Sequence, residues 1–374
     1  MAGKWRLFTR RFFLFCNIIL VIFFLLSCLA PHLDPRSWWM ISFLGLAFPI
    51  LLFLVIVSFA AWFIIMRPKY AIVSGIALLL SIPSITVFLG FHTPKAFDYK
   101  KPAGTLRVMS WNVARFIELK KNNNKGSQSR DKMLSLISQQ NADVLCFQEF
   151  HTSVHPDYYD NITAIKELGY PYFYFSYDLD GDQHFYSSII FSRYPIVDSG
   201  LIRYPRPTLP DALIHADIKV GADTFRIYTT HMQSIQFGKS DYERLREITT
   251  GEDSLVTNSK SLLSKIKRGF THRSIQADMI AEVLGNSPHP VLFCADLNDI
   301  PNSYAYTTVK GSMQDAFLKK GFGIGRTFSA LFPTLRIDYI FADRNFTVKQ
   351  FTRILKKHSD HYPILADIER KNSK

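Results

Sequence analysis

Carboxylates are almost missing from the start of this chain: before residue 93, Asp34 stands alone against seven Lys/Arg. That leaves a net charge of +6 on residues 1–92 and +7 on the remaining 282, where 37 basic residues meet 30 acidic ones. The high isoelectric point therefore belongs in part to the N-terminal region, and the remainder is only a mild hint of an anionic partner. Cysteine is equally scarce, with four in 374 residues. Cys16 and Cys28 fall in an apolar run and Cys146 and Cys294 in the middle of expected strands, which argues against a disulfide scaffold and leaves each as a small apolar residue. A Cys146–Cys294 bridge stays open only if those strands are neighbours. Cys and His do not cluster at zinc spacing, so a zinc site is not expected. Neither an internal repeat nor a low-complexity block is present.

What the N-terminal region does have is apolar length. Phe12–Leu29, Trp39–Met66 and Ala71–Phe91 each reach the roughly 18–20 residues that cross a bilayer. Three transmembrane helices are expected, over about 12–29, 39–66 and 71–91, with Pro49 and Pro83 tolerated as membrane helices allow. The basic flank Lys4, Arg6, Arg10 and Arg11 leaves open a cleaved signal peptide, and Leu25-Leu26-Ser27-Cys28 weakly resembles a lipoprotein cleavage site. The two further runs favour a retained anchor. Arg67 and Lys69 in the second loop, against only Arg36 in the first, put the N-terminus in the cytoplasm. Three crossings then place the chain beyond about residue 93 on the extracytoplasmic side, in keeping with a bacterial inner membrane and a periplasm-facing domain. Lys95, Lys100 and Lys101 pull against that orientation. The expected organisation is a transmembrane region over 1–92, a linker over 93–104 and a catalytic domain over 105–370.

From Thr105 onward short apolar runs alternate with helical patterns, the rhythm of an α/β domain. Strands are expected at Leu106–Trp111, Val144–Phe147, Ser187–Ser192, Val291–Ala295, Arg336–Ala342 and Ile364–Ile368, with a hairpin from Ala212–Val220 and Thr224–Thr230. Helices are expected at Asp131–Gln140, Ile162–Leu168 and Ser274–Leu284, and Lys239–Phe270 reads as a charged, mostly helical insertion. Polar residues recur where these strands end: Asn112, Glu149, His231, Asp296 with Asn298, Asp338, and Asp360 with His361. Each has a plain explanation alone. Asn112 suits a turn, Glu149 the first turn of a helix, His231 a satisfied core position, Asp338 a pairing with Arg336, and Asp360-His361 a simple turn. Together, in α/β sheets whose ligands gather beyond the carboxyl ends of strands, they can converge on one cleft.

Such a set suits hydrolysis of a phosphate ester with a hard metal ion. Mg²⁺ takes oxygen ligands and keeps several waters, so one or two carboxylates and an amide oxygen suffice. A carboxylate or a His must then deprotonate or orient the attacking water, and a neighbouring Asp can hold that His in the right tautomer.

The ordered motifs Ser110-Trp111-Asn112, Asp143 to Gln148-Glu149, Ile190 to Tyr194-Pro195, Thr230-His231, Asp296-Leu297-Asn298-Asp299, Arg336-Ile337-Asp338-Tyr339 and Ser359-Asp360-His361 closely resemble the endonuclease/exonuclease/phosphatase superfamily. That family includes DNase I-like nucleases, neutral sphingomyelinases and inositol-polyphosphate 5-phosphatases. The resemblance runs from about Thr105 to Ile368. It implies a four-layer α/β sandwich, two packed mixed β-sheets flanked by helices, behind the three membrane helices. It implies Glu149 as the principal Mg²⁺ ligand, with Asn112 and Asp360 helping and Mn²⁺ as a substitute ion. It implies Asp296 as the group that activates water, Asn298 and His231 as binders of the scissile phosphate, His361 as the second catalytic His, and Asp338 as orienting a His or the metal's water. Apurinic-site endonucleases of the family carry an acid where this chain has Ala114, and a Tyr where it has His231, which argues against abasic-DNA repair.

The expected activity is a membrane-anchored, Mg²⁺-dependent phosphodiesterase acting on a phosphoester near the bilayer, such as a lipid head group. The alternative is an extracytoplasmic nuclease, for which Lys260, Lys265, Lys267 and Arg268 could meet a phosphate backbone. Acids at Glu243, Glu247, Glu252 and Asp253 make a solvated helical face the plainer account of that cluster. A non-catalytic membrane scaffold is the third possibility. Specificity is expected in the loops Ser153–Asp160, Tyr177–Phe185, Arg203–Asp211 and Phe237–Thr271.

Overall fold

A computed structural model describes residues 2–93, 95–121, 128–208, 211–235, 255–330 and 332–371. Parts of the expected insertion and specificity loops, with Glu243, Glu247, Glu252 and Asp253, lie outside them. The chain forms two compact units. Unit 1 comprises Met1–Phe88, Ile235–Ser274 and Pro301–Thr307, and unit 2 the rest, so the units do not simply succeed one another along the sequence.

In unit 1 the apolar runs are helical: α1 (Ala2–Ser27), α2 (Pro35–Leu46), α3 (Phe48–Ile64), α4 (Pro68–Leu80) and α5 (Ile82–Phe88). Only Leu7–His32 is, among the described residues, a single helix long and apolar enough to cross a membrane. The second and third expected spans are corrected to bent pairs, with α2 meeting α3 at 52° and α4 meeting α5 at 58°. The cause is local. Pro49 and Pro83 each lie in the first turn after a break, and a proline ring blocks the hydrogen bond and crowds the carbonyl one turn back. Polar pins join the helices: Asn17 Oδ1 accepts from Ser58 Oγ at 2.8 Å and Ser74 Oγ at 2.9 Å. The Pro301–Thr307 segment belongs here too, since Asn302 Nδ2 donates to the Ser27 carbonyl at 2.9 Å. Lys267, expected either on a solvated face or against nucleic acid, sits over the Trp39 ring at 5.1 Å.

Unit 2 is built on two six-stranded mixed sheets flanked by helices. One holds β2 (Thr105–Asn112), β3 (Val144–Ser153), β4 (Tyr172–Phe175), β5 (His184–Ser192), β13 (Phe346–Arg353) and β14 (Ile364–Arg370) in the order β13-β14-β2-β3-β5-β4. The other holds β6 (Ile196–Arg203), β7 (Ala212–Val220), β8 (Asp223–His231), β9 (Val291–Asp296), β10 (Gln314–Asp315) and β12 (Asp338–Ala342) in the order β10-β12-β9-β8-β7-β6. A short pair, β1 (Gly90–Phe91) with β11 (Phe322–Gly323), stands apart from both.

Period-two alternation sets the layers. Val108, Val144 and Cys146 share an interior with Ile214, Ile227, Leu292 and Cys294 of the second sheet. Met109, Trp111, Leu145 and Phe147 point the other way, onto Met133 and Ile137 of α6 (Ser129–Gln140) and Ile165 of α7 (Asn161–Glu167). Cys146 and Cys294 face each other across the interior as free thiols, so the optional bridge is not formed. The expected helix Ser274–Leu284 and the helical end of the insertion turn out to be one 31-residue helix, Leu255–Gly285.

The segment expected to be a linker is partly tied down. Arg107, fully buried on β2, donates Nη2 to the Asp98 carbonyl at 3.0 Å and Nη1 to the Tyr99 carbonyl at 2.9 Å. Its fork grips Asp367 of β14 at 2.7 and 2.8 Å. Arg107→Ala would strand a buried carboxylate, and we expect a loss of about 3–5 kcal/mol. The joint Arg107→Met/Asp367→Leu change should cost far less. Thermal unfolding of the full chain followed by near-UV circular dichroism separates these outcomes.

Candidate active site

Parallel pairing brings strand ends together. β2 runs parallel to β3, with Asn112 opposite Gln148, and β8 runs parallel to β9, with His231 opposite Asp296. β12 runs antiparallel to β9 and sets Asp338 opposite Asp296 from the other side. Asp296 therefore lies between His231 and Asp338 on one sheet. The second sheet reaches it through Asn112, whose Nδ2 donates to Asp296 Oδ2 at 3.0 Å and to Glu149 Oε1 at 3.1 Å. Behind this junction Gln148 Nε2 donates across the interior to Thr229 Oγ1 at 2.9 Å.

Two backbone devices aim the side chains. The strand expected over Val144–Phe147 continues to Ser153, because a bulge between Phe147 and Phe150 absorbs the extra residue. Glu149 sits in that bulge at φ 50°, which turns its carboxylate out of the ladder. Asn298 also adopts φ 50°, closing a turn in which its N–H donates to Asp296 Oδ1 at 2.8 Å. Its amide then reaches His231 Nε2 at 2.9 Å and the Met232 carbonyl at 2.9 Å.

The Ser359-Asp360-His361 turn is the remaining arm. Ser359 Oγ donates to the Asn112 carbonyl at 2.9 Å, and Trp111 Nε1 donates to the His361 carbonyl at 2.9 Å. His361 Nδ1 then meets Asp338 Oδ2 at 2.9 Å, leaving Nε2 3.7 Å from Asp296 Oδ2. Asp338 thus serves His361, while Arg336, its possible partner by sequence, pairs with Asp315 at 2.5 Å. Thr327 Oγ1 accepts the Asp338 N–H at 3.1 Å and steadies the dyad.

Burial and charge tune these groups in opposite directions. Burial, reinforced by Asp338, pushes the Asp296 carboxyl up to about 6 against the pull of His361 and His231. Burial disfavours the His361 imidazolium, but Asp338 and Asp296 outweigh it and raise that group to about 10. His231 is raised as well, since Glu149, Asp296 and Asp211 together overcome its burial. Burial tends to raise Glu149, yet the nearby His231 and the Asn112 amide bring it below the usual carboxylate range. The pocket therefore pairs an acid poised near neutrality with a cationic imidazole, a division of labour suited to proton transfer.

For a metal, the donor set is one of oxygens. Among the described residues Asp296, Asp338 and His361 form one group whose candidate ligand atoms lie within 4.8 Å of one another. Two of those residues already bond each other, and Asp296 accepts from Asn112 and Asn298. Glu149 is the more open carboxylate, 29% exposed, with Oε2 free of hydrogen bonds among the described residues. Several carboxylates confined around two His residues suit a hard divalent cation. Asn112 Oδ1 accepts the Ala114 N–H at 3.0 Å, which leaves that oxygen a second lone pair. Asp360 lies exposed at the rim, its carboxylate accepting from Ser359 Oγ at 3.1 Å, and no described hydrogen bond ties it to Glu149 or Asp296.

The model of the Endonuclease/Exonuclease/phosphatase family matches residues 109–361, the stretch that carries every one of these side chains. The chain belongs to that family. Members of the endonuclease/exonuclease/phosphatase family act as a rule on phosphoester bonds. A domain of unknown function matches residues 10–88. A search of curated proteins finds no match. Among solved structures the chain is similar to an endonuclease/exonuclease/phosphatase from Beutenbergia cavernae, with 18% identity, a TM-score of 0.51, and 71% of this chain and 72% of that one covered. It is also similar to the catalytic domain of human Nocturnin, with 18% identity, a TM-score of 0.50, and 72% and 96% covered. At that identity the likeness bears on the fold alone, and it agrees with the two-sheet architecture.

Sequence reasoning missed Asp211, whose Oδ2 is 3.8 Å from His231 Nδ1. The hairpin was its signal. Ile214 pairs with Thr229, so the same register carried two residues further brings His231 level with Ala212, beside Asp211. Arg115 and Tyr186 were also missed. The Arg115 guanidinium lies 4.2 Å from the Tyr186 ring, and burial together with Glu149 and Asp211 raises the Tyr186 phenol. Nothing in their local sequence marks them.

Proposed function

We propose that this protein is a membrane-anchored, divalent-metal-dependent phosphodiesterase whose substrate is a phosphoester at the bilayer, a lipid head group being the leading class. One observation carries the reading: Glu149, Asp296, Asn298, His231 and the His361–Asp338 dyad, scattered over 213 positions of sequence, meet in one linked cluster with Glu149 29% exposed. The apolar N-terminal helix supports the anchor and the lipid class, since a tether raises the local concentration of substrate at a membrane. An extracytoplasmic placement rests on the basic loops and belongs to the same proposal.

In this proposal Asp296 accepts the proton of the attacking water. His231 and Asn298 hold the phosphoryl oxygens, an Asn298 Nδ2–H turning from the His231 ring to the phosphate while the other stays on the Met232 carbonyl. His361, kept cationic by Asp338, offers Nε2–H to the charge that develops on phosphorus oxygens. Asn112 positions Asp296 and Glu149 against each other. Glu149, with Asn112 Oδ1 and with Asp360 at the exposed side, would hold Mg²⁺ or Mn²⁺, and the bound ion would supply neutralisation of phosphoryl charge.

The test is turnover of a simple phosphodiester, bis(p-nitrophenyl) phosphate, by the purified full chain. Activity should vanish with EDTA, return with Mg²⁺ or Mn²⁺, and need much more Mg²⁺ in Glu149→Gln. A panel of sphingomyelin, glycerophospholipids, inositol phosphates and plasmid DNA then sorts the substrate. Cleavage of DNA with steep inhibition by salt would favour the nuclease instead. No turnover on any member, with metal present and the protein folded, would leave a scaffold.

A further inference from the structure

Unit 1 holds a cavity of about 770 Å³ that has no part in the chemistry above. Its walls come from the start of α1 and the end of α3: Trp5 and Phe13 on one side, Trp62 and Ile65 on the other, with Arg10 and Arg67 at the polar end. Trp62 is nearly buried and packs on Tyr70 at 5.1 Å between centroids, while Trp5, Phe13 and Ile65 are exposed apolar surface. The cations gather on the same aromatic group. Arg10 stands 5.7 Å and Lys69 5.5 Å from the centre of the Tyr70 ring. Among the described residues no carboxylate pairs with Arg10, Arg67 or Lys69. The single acid of residues 1–92, Asp34, is taken by Arg36 at 2.6 Å.

We infer that this cavity is a binding site for an anionic phospholipid of the bilayer, held by its phosphate between Arg10 and Arg67 and by its acyl chains along Phe13 and Ile65. Three features fit that occupant and no water-soluble anion. The cations sit at the boundary of the apolar helix that begins at Leu7, where a head group would lie. Trp5, Trp62 and Tyr70 have the amphipathic rings that favour the interface. The rest of the wall is exposed hydrocarbon, which a lipid chain covers and a free phosphate does not. Basic pockets beside membrane helices attract anionic head groups by about a fivefold gain per cation.

The inference rests on unit 1 residing in a bilayer, and the experiment keeps the two apart. The full chain is reconstituted in phosphatidylcholine vesicles holding one fifth phosphatidylglycerol, with either lipid brominated, and tryptophan emission is read. Brominated phosphatidylglycerol should quench out of proportion to its share, with a relative affinity over phosphatidylcholine on the order of 25-fold for two arginines at about fivefold each. Arg10→Gln/Arg67→Gln should lose that preference, Arg10→Lys/Arg67→Lys should keep most of it, and Arg36→Gln should leave it untouched. Should the double Gln variant fail to fold, Arg67→Gln alone is expected to lose a large part. Quenching in simple proportion to lipid content by the wild type, or an undiminished preference in the folded Gln variants, overturns the site. Recovery of the full chain from cells as a soluble protein without detergent would instead overturn the bilayer placement itself.

Discussion

Replacing Asp296 by Asn should lower kcat/KM on a phosphodiester by about 10³-fold, the scale of a lost general base. The same residue should shape the wild-type pH profile. Asp296 must be ionised to accept a proton, and burial beside Asp338 holds its carboxyl at about 6, so kcat/KM should fall about tenfold per pH unit below that point. The Asn variant should lose this limb along with the rate. Stability provides the control. A carboxyl raised in the folded state favours folding below its unfolded value and loses that contribution as pH rises through about 6, so at neutral pH the ionised Asp296 is a burden that Asn removes. Against this, the new amide would face the Asn112 Nδ2 that now donates to Asp296 Oδ2. The two effects oppose each other, and we expect little change in melting temperature. A variant that unfolds, or one that keeps near-normal rates with the acid limb in place, would remove Asp296 from the proposed role.

The second large effect is expected at the His361–Asp338 dyad. His361→Ala should cost about 10²–10³-fold in kcat, as deletion of an oxyanion donor does. Asp338→Asn should cost less, because it leaves the imidazole in place, and it should change the shape of the profile. Asp338 is the foremost of the charges that hold His361 protonated up to about 10. Without its charge the imidazolium titrates lower and Asp296 loses the neighbour that helps raise it, so the alkaline limb should move toward neutrality and the acid limb to lower pH. A purely structural role for Asp338 would lower the rate at every pH alike. Rates measured from pH 5 to 10.5 on the wild type and both variants decide between these accounts.

These expectations draw on sequence and structure in different measure. The buried runs at Val144–Phe147 and Val291–Ala295 announced their strands, because a strand covered on both faces needs uninterrupted apolar residues. The polar residues at their ends stood out for the same reason, since nothing in a core demands them. Partners were harder to read. Asp338 stands two residues from Arg336, and neither spacing nor charge reveals that Arg336 turns to Asp315 while Asp338 turns to a His 23 residues on. For Asn112 the sequence did not show that its nitrogen bridges two carboxylates while its oxygen takes the Ala114 N–H. The extension of β3 through Glu149 escaped notice because a bulge leaves no compositional trace.

In the membrane-like unit, counting apolar residues gave three lengths of about the right size but no sense of continuity. Pro49 and Pro83 were visible, and whether a proline is absorbed or breaks the helix depends on what packs around the turn it disrupts. By itself the sequence determined the class of fold, the family and the roster of strand-end residues, because alternation and burial are local statements about each residue and its near neighbours. Tertiary structure alone decided which side chains of the two sheets touch and which way each amide points. Those contacts arise where two sheets close on one another, and no short window of sequence contains both halves.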